Sequence, residues 1–258
     1  MCRMLGVVAQ APVSLEALLS TAPRSLGALS REHRDGWGVA ASAGQGWRVH
    51  RRVECAGESP VFREEARTER AAVAIAHVRQ RTVGPVSLAN THPFERGGWV
   101  LAHNGTVDDV PGLVAMCSPA RAAEVEGDTD SERLFAFLLT CLDAAPGDAE
   151  HGLATAARRL ACFAGRGAVN FLLSDGDRMF AHRSGRSLFV LERGEGEGRR
   201  TASVTFASEP LTTERWRELP QGSLWRATRL GGASAPRACE LGEPSPTERP
   251  SALTVVSC

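Results

Sequence analysis

Short apolar runs separated by turn-forming residues dominate this chain. The first run, residues 4–9, is almost entirely apolar and begins near the N-terminus, which is typical of a buried strand. Residues 71–78 form an even more apolar run, as expected of a central strand. Further strands are predicted at residues 47–53, 99–102, 169–174, 178–182, 187–191 and 203–208.

The clearest helix signal lies at Thr129-Asp130-Ser131-Glu132, because a Thr followed three residues later by Glu is a capping-box pattern. Apolar residues then recur at helical spacing and form one face of the predicted helix. A second helix is predicted at residues 153–163. A short helix is predicted at residues 14–19, with Ser14 as its N-cap.

Asp175-Gly176 separates two of the predicted strands and is a strong hairpin signal. Most strands are joined by short turns and do not alternate with helices, which favours an α+β fold with antiparallel sheets and helices packed outside. Residues 2–230 are predicted to form one domain, without an internal repeat or a second catalytic domain. Residues 231–258, rich in Gly, Ala, Ser, Pro and Glu, are predicted to be a poorly ordered tail.

Charge is balanced between 30 basic and 30 acidic residues, so nothing indicates nucleic acid or a membrane surface as a partner. Every basic residue other than His is Arg, which excludes a Schiff-base lysine. Neither a phosphate-binding P-loop nor a dinucleotide fingerprint occurs, and the sequence contains no G-x-S-x-G or H-E-x-x-H motif. We therefore expect no cofactor.

The chain has seven Cys at irregular spacings, without a C-x-x-C pair, so neither a zinc ribbon nor a redox motif is indicated. His92 has no Cys or carboxylate at metal-ligand spacing, and no metal site is expected. Because the N-terminus lacks the features of a signal peptide and no apolar run approaches the ~20 residues of a membrane span, we expect a cytoplasmic protein with reduced thiols.

Cys2 follows the initiator Met, which is normally removed before a small side chain. Removal would leave one residue that carries both a thiol and a free α-amine. The amine has a reference pKa of about 7.7–8.0 and could take the proton of the thiol, the activation used by N-terminal nucleophiles. The other interpretation is a Cys at this position by chance.

His103-Asn104-Gly105-Thr106 follows the predicted strand at residues 99–102. Asn-Gly is a common tight-turn dipeptide, so taken alone it predicts a plain turn. The side-chain amide of Asn104 and the backbone N–H of Gly105 are also the kind of donors that stabilise an oxyanion in acyl transfer.

Two charged residues have both a structural and a functional interpretation. Arg79 comes just after the apolar strand and could hold a carboxylate, although for one of 30 arginines taken alone a solvated surface charge is the preferred interpretation. Asp130 lies in the first turn of its predicted helix, where a negative charge is favourable in any case.

The order of these motifs resembles the class II glutamine amidotransferases, which are N-terminal nucleophile hydrolases. The resemblance runs from Met-Cys at the start through Asp-Gly-Trp-Gly, His-x-Arg-x-x-Thr, Asn-Thr-His-Pro-Phe and His-Asn-Gly to Thr-Asp-Ser-Glu. It extends to about residue 230 and is strongest toward the stand-alone bacterial branch that includes the amidohydrolase of ergothioneine biosynthesis.

This resemblance implies a four-layer αββα sandwich of two antiparallel sheets. It also implies that Cys2 is the nucleophile, with its own α-amine as base, and that Asn104 and Gly105 form the oxyanion hole. The remaining matched residues imply a site for a glutamyl group, in which Arg79 and Thr82 hold the α-carboxylate and Asp130 holds the α-amine. Val83 departs from the family, some members of which carry His at this position.

The expected reaction is hydrolysis of a γ-glutamyl amide through a thioester, with release of glutamate. Either glutamine is hydrolysed and ammonia passes to a separate enzyme, since the chain has no synthetase domain, or a γ-glutamyl conjugate is cleaved. A non-catalytic glutamine-binding regulator with the same fold is the alternative from another class. Cys2, Asn104 and Gly105 argue against it, because a sensor needs neither a nucleophile nor an oxyanion hole.

Overall fold

Two antiparallel sheets form the centre of the structure, a computed structural model that describes residues 2–44, 46–161, 167–194, 201–229 and 238–241. The strands are β1 (Arg3–Ser14), β2 (Trp37–Ala43), β3 (Gly46–Arg52), β4 (Arg70–Val78), β5 (Phe94–Arg96), β6 (Trp99–Val107), β7 (Gly167–Ser174), β8 (Arg178–His182), β9 (Phe189–Arg193), β10 (Ser203–Ala207), β11 (Arg217–Glu218), β12 (Leu224–Thr228) and β13 (Ala238–Glu240).

Six α-helices lie among the described residues. They are α1 (Leu26–Leu29), α2 (Pro60–Thr68), α3 (Val110–Ala115), α4 (Pro119–Ala123), α5 (Asp130–Asp143) and α6 (Ala149–Ala161), and a π-helical turn spans Ala17–Thr21. None of these helices is long and apolar enough to span a membrane.

The first sheet has the strand order β11-β9-β10-β1-β4-β2-β3, and the second has the order β13-β12-β8-β7-β6-β5. Neighbouring strands are antiparallel in both sheets. The strand that follows Cys2 is therefore central in the first sheet, between β10 and β4. The strand that carries Asn104 is close to the edge of the second sheet.

Side chains alternate between the two faces of each strand and so divide the apolar residues into three clusters. The cluster between the sheets includes Met4, Val8, Ile75, Val100, Ala102, Leu172 and Phe206. A second cluster joins the second sheet to α5 and α6 and includes Phe135, Leu138, Leu153, Phe171 and Phe180. The third joins the first sheet to α2 and the π-helical turn and includes Leu5, Leu18, Trp37 and Phe62. These contacts confirm the predicted α+β fold, and the layers run helix, sheet, sheet, helix.

Two local predictions are confirmed in detail. The side chain of Thr129 accepts a hydrogen bond from the backbone N–H of Glu132 at 3.4 Å and caps α5, as the capping-box pattern predicts. Asp175-Gly176 joins the antiparallel strands β7 and β8, with Gly176 at a φ of 97°. A left-handed φ of this kind is costly for residues with a side chain, which explains the glycine.

Two other predictions were wrong. The tetrapeptide from His103 to Thr106 is not a turn but continues β6, because each of its residues pairs with a residue of β7. Ser14 is not a helix N-cap but the last residue of β1, where it pairs with Arg70. In both places strand pairing over a long sequence distance overrides the local preference.

The predicted second helix begins earlier than expected, at Ala149, because the side chain of Asp148 accepts a hydrogen bond from the backbone of His151 at 3.0 Å and supplies a start signal. The last two residues of that prediction lie outside the described residues. Of the predicted tail 231–258, the structure describes 238–241, and β13 pairs there with β12.

Candidate active site

Cys2 lies directly before β1, and the register of β1 with β4 places it next to Arg79 and Gln80. Arg3 pairs with Val78, and in an antiparallel pair the residue before Arg3 lies beside the residues that follow Val78. The Sγ atom of Cys2 lies 3.3 Å from both the backbone N and the backbone O of Gln80. The N–H of Gln80 therefore donates to the sulfur, and the thiol can donate to the carbonyl. Cys2 as a whole residue is neither fully buried nor fully exposed, while its thiol is largely desolvated.

The surroundings of the Cys2 thiol act on its pKa in opposite directions. Desolvation by burial dominates and raises the pKa above its ordinary value, while the Gln80 N–H and Arg79 lower it. The thiol is therefore protonated at rest, and nucleophilic attack requires a base close to it.

A salt bridge fixes the backbone of the terminal residues. The Nε atom of Arg3 donates to Glu209 at 2.9 Å, and its Nη1 atom donates to the carbonyl oxygen of Cys2 at 3.1 Å. Arg24 donates to the other carboxylate oxygen of Glu209 at 2.6 Å. The side chain of Glu209 is only 15% exposed, so its ion pair with Arg3 is partly desolvated, whereas Arg24 reaches it from an exposed position.

Asn104 faces the first sheet from β6. It lies two residues after Ala102, which belongs to the cluster between the sheets, and strand alternation puts both side chains on the same face. Its Nδ2 atom donates to the hydroxyl of Ser208 at 3.2 Å, and its side chain is buried. Ser208 also receives the backbone N–H of Met4 at 3.0 Å, so this hydroxyl connects Asn104 to the strand of Cys2.

Gly105 lies where β6 and β7 approach too closely for any side chain. A Cβ atom at this position would lie 1.8 Å from the carbonyl oxygen of Ala168. This clash, rather than a turn conformation, explains the glycine of the Asn-Gly pair.

The N–H of Gly105 points away from β7. Its partner in the register, Val169, donates its N–H to Ser184 on the other side of β7, and in an antiparallel pair both groups of a residue point to the same side. Gly105 and Val169 are thus a pair without mutual hydrogen bonds. On the outer side of β6, the strand β5 reaches only as far as Leu101. The backbone donor of Gly105 therefore faces a part of the sheet edge that β5 does not cover.

Asp130 lies on the same edge of β6. One of its carboxylate oxygens accepts the N–H of Val107 at 2.7 Å, and Val107, two residues after Gly105, directs its N–H to the same side of the strand. Asp130 is the first residue of α5, and only 4% of it is exposed. The structural role of Asp130 is thus not only a favourable charge in the first turn of the helix, because its carboxylate also attaches α5 to β6.

Arg79 is buried at the end of β4 and holds the loop that follows it. Its Nη1 and Nη2 atoms donate to the carbonyl oxygens of Pro85 and Val83 at 3.1 and 3.0 Å. These bonds use two of the several N–H donors of a guanidinium group. Thr82 lies in the same loop and is exposed.

The Asp-Gly-Trp-Gly motif makes hydrogen bonds to the start of the loop that follows β4. The N–H of Asp35 donates to the carbonyl of Arg79 at 3.0 Å, and its carboxylate accepts the N–H of Arg81 at 2.7 Å. A Cβ atom on Gly38 would lie 2.3 Å from the carbonyl oxygen of His92, so only glycine fits there. Trp37 is fully buried. The motif therefore positions residues 79–81 through its backbone and its packing.

The structure brings Cys2, Arg79 and Asn104 to one end of the two sheets. Gly105 and Asp130 share the neighbouring edge of β6, and Thr82 lies on the loop next to Arg79. Sequence reasoning missed Gln80, Ser208 and Glu209. Gln80 acts through its backbone, and the other two lie more than 200 residues from Cys2, so no local spacing could have indicated them.

Three buried histidines lie beneath this end of the sheets. The rings of His77 and His92 contact each other at a tilt, with a centroid distance of 4.3 Å, and within the described residues their ring nitrogens make no hydrogen bond of good geometry. His103 contacts the hydroxyl of Ser131 at 2.8 Å. Burial lowers the pKa of His77 to about 3 and also lowers the pKa values of His92 and His103, so all three are neutral at physiological pH. Among the described residues, no group of His, Cys, Asp and Glu is arranged to hold a metal ion.

His77 should make the protein sensitive to mild acid. Its pKa is about 3 in the folded state, whereas the unfolded chain takes up a proton near pH 6.5, so stability falls as the pH drops below 6.5. This single site would cost on the order of 2 kcal/mol at pH 5. In His77→Phe, the loss of unfolding free energy between pH 7.5 and 5 should be smaller than in the wild type by that amount, as measured by urea denaturation. Parallel pH profiles for the two proteins would contradict this account of His77.

Comparison with known proteins supports the family suggested by the site. The family model for class II glutamine amidotransferases matches residues 1–199. The gamma-glutamyl-hercynylcysteine sulfoxide hydrolase of Mycobacterium tuberculosis is 31% identical over 244 residues, which is 90% of this chain and 94% of that protein.

Two solved structures share the fold over nearly their whole length. One is a predicted glutamine amidotransferase from Pseudomonas aeruginosa, with a TM-score of 0.62 and 26% identity, covering 88% of this chain and 98% of that one. The other is a glutamine aminotransferase class-II domain protein from Silicibacter pomeroyi. It has a TM-score of 0.64 and 21% identity, covers 93% and 99% of the two chains, and supports the fold alone. Given the family match over residues 1–199, the chain belongs to the class II glutamine amidotransferases.

Proposed function

We propose that this protein hydrolyses a γ-glutamyl amide through a γ-glutamyl thioester on Cys2. The observation that carries the proposal is the environment of the Cys2 thiol. The thiol precedes the central strand β1 and contacts the backbone of Gln80 at 3.3 Å. Two residues later, the backbone N–H of Met4 shares the Ser208 hydroxyl with the side-chain amide of Asn104. The side chains proposed as nucleophile and oxyanion donor thus lie at the same end of the two sheets.

Removal of Met1 would expose the α-amine of Cys2, which is the base in this proposal. As the Cys2 sulfur attacks the amide carbon, the thiol proton passes to this amine. The negative charge that develops on the carbonyl oxygen is stabilised by Nδ2–H of Asn104 and N–H of Gly105, whose donor faces the uncovered edge of β6. Losing one such donor typically costs about 2.7–4 kcal/mol of transition-state stabilisation.

Collapse of this intermediate breaks the carbon–nitrogen bond, and the protonated amine returns a proton to the departing nitrogen. Water then attacks the thioester and gives its proton to the same amine. Glutamate leaves, and the thiol forms again. The α-amine of Cys2 therefore accepts a proton when the sulfur or water attacks, and returns one when the leaving group departs, which is general acid–base catalysis by one group.

The glutamyl group would be recognised by opposite charges. Arg79 would hold its α-carboxylate, with Thr82 beside it on the loop, and Asp130 would hold its α-ammonium. The carboxylate of Asp130 uses one oxygen for Val107, and an ionised carboxylate has further acceptor sites for an ammonium group. A buried ion pair with the substrate stabilises binding only when the hydrogen bonds of its charged groups are satisfied. Arg79 and Asp130 would supply these hydrogen bonds.

A γ-glutamyl conjugate is the favoured substrate, with glutamine as the second candidate. The Mycobacterium tuberculosis relative, named as a hydrolase of such a conjugate, is similar to 90% of this chain. If glutamine is used instead, the ammonia would pass to a separate enzyme.

In the experiment, the purified protein is incubated separately with glutamine, with γ-glutamyl-p-nitroanilide and with γ-glutamyl amides of amines that carry a thioether. Glutamate release is measured for each compound. We expect release from at least one conjugate with a kcat/KM at least tenfold above that for glutamine. The order is reversed if glutamine is the substrate. Binding of glutamine without release of glutamate from any compound would contradict the enzymatic proposal and favour a regulator.

A further inference from the structure

We propose that Ser208 is a positioning residue that sets the orientation of the Asn104 amide relative to Cys2. This inference rests on the proposed function, because it concerns the oxyanion donor of that reaction. Ser208 follows β10 and is 204 residues from Met4, and only 4% of it is exposed.

The hydroxyl of Ser208 has its full complement of hydrogen bonds. It accepts the N–H of Met4 at 3.0 Å and Nδ2–H of Asn104 at 3.2 Å, and it can donate to the carbonyl oxygen of Met4 at 3.4 Å. A hydroxyl offers one donor and two acceptor lone pairs, so these contacts satisfy all three. A group in this state holds its partners in a defined geometry.

The hydroxyl takes the place of a backbone acceptor in the first sheet. The β1–β10 register pairs Leu5 with Ala207, so Met4 and Ser208 come next, and the N–H of Ser208 donates to the carbonyl of Met4 at 3.1 Å as expected. The return bond from the N–H of Met4 goes to the side chain of Ser208. Its carbonyl instead accepts the hydroxyl of Ser187 at 2.9 Å. This exchange leaves the Ser208 hydroxyl between the two sheets.

Asn104 belongs to the second sheet, so Ser208 connects the sheets at the point where the strand of the nucleophile begins. With one N–H of its amide bound to Ser208, Asn104 keeps its second N–H for a developing oxyanion. Without this acceptor, the amide could rotate by about half a turn and present its oxygen to the oxyanion, which would repel it. Ser208 would thus act on catalysis through Asn104 without touching the substrate.

The neighbouring residue strengthens the same connection. Glu209 accepts from Arg3, which in turn donates to the carbonyl of Cys2 at 3.1 Å. Two consecutive residues after β10 therefore hold the first three residues of the processed chain. Ser208 is the one of the two that also reaches the oxyanion donor.

A double-mutant cycle tests this inference, because a residue that acts through Asn104 should have little effect once Asn104 is removed. Ser208→Ala, Asn104→Ala and the double variant are compared with the wild type on the best γ-glutamyl substrate. Ser208→Ala should lower kcat by roughly 10- to 100-fold, within the effect of losing an oxyanion donor, and change KM by less than about threefold. In the Asn104→Ala background, the same change should lower kcat by less than about threefold.

Ser187→Ala is the matched control, since it removes the hydrogen bond to the carbonyl of Ser208 but leaves its hydroxyl in place. It should keep the kcat of the wild type. If Ser208→Ala does not fold, Ser208→Cys gives the same comparison, because the thiol fills the space of the hydroxyl with a larger atom that is a weak hydrogen-bond acceptor.

Provided that the wild type releases glutamate, either of two results would overturn the positioning role. One is that the losses of kcat in the two single variants multiply in the double variant, and the other is that Ser208→Ala changes KM alone. Absence of glutamate release by the wild type would overturn the proposed function itself, and with it this inference.

Discussion

Replacing Cys2 with Ala is expected to abolish turnover and to leave the fold intact. Removal of the nucleophile in a comparable acyl-transfer enzyme costs on the order of 10⁶ in kcat. The thiol makes its hydrogen bonds with the backbone of Gln80, so its loss should change the free energy of unfolding by no more than about 1.5 kcal/mol. Glutamate release and thermal unfolding of the variant measure the two effects.

Cys55 provides the matched control for this variant. It is a buried thiol that contacts the backbone of Ser30 at 3.4 Å, on the helical side of the first sheet. Cys55→Ala should lower the melting temperature and keep kcat/KM within a few-fold of the wild type. A Cys2→Ala variant with more than about a tenth of wild-type activity would rule out the thioester.

Removing the charge of Asp130 is expected to lower kcat/KM for any γ-glutamyl substrate, with a loss of transition-state stabilisation of about 2 kcal/mol or more. The reason is that the substrate ammonium would lose its partner in a desolvated site. Asp130→Asn is the informative change, since the amide oxygen can still accept the N–H of Val107 at this position. Its melting temperature should therefore remain close to that of the wild type. Asp130→Ala, which also loses this bond to β6, should be less stable as well as inactive.

Arg79→Ala should have a comparable effect on kcat/KM through the substrate carboxylate. Arg81→Ala is its control, because Arg81 is an exposed neighbour that contacts Asp35 through its backbone N–H. If Asp130→Asn keeps kcat/KM within a few-fold while Asp130→Ala unfolds at lower temperature, the role of Asp130 is to attach α5 to β6. The nucleophile could then stand, with a substrate that lacks a free α-amine.

The sequence predicts those parts of the fold whose causes are local. The α5 N-terminus follows from the Thr129 capping pattern, and the β7–β8 hairpin follows from Asp175-Gly176, because in each case neighbouring residues supply the hydrogen bond or the backbone conformation. The apolar runs likewise predict the two central strands, since both faces of those strands are covered.

Long-range pairing determines what local reasoning could not predict. Asn104-Gly105 has the composition of a turn, yet it lies within β6 because β7 pairs with it. The glycine is required there because the backbone of Ala168 leaves no room for a side chain. Ser208 reaches the site through the β1–β10 register, over 204 residues of sequence. The resemblance of the motif order thus indicates which residues form the candidate site, but not how they contact one another.

The most direct test of the central claim is the intact mass of the protein after reaction with a glutamine-like diazo ketone, followed by peptide mapping. The account predicts a chain without Met1 that carries a single adduct on Cys2, with Cys55, Cys117 and Cys141 unmodified. Reactivity should follow thiolate formation and access, and burial raises the pKa of Cys117 and Cys141, whereas the Cys2 thiol has its own α-amine as base in the proposed mechanism. A fully active protein that retains Met1, or equal labelling of the other thiols, would contradict the N-terminal cysteine mechanism.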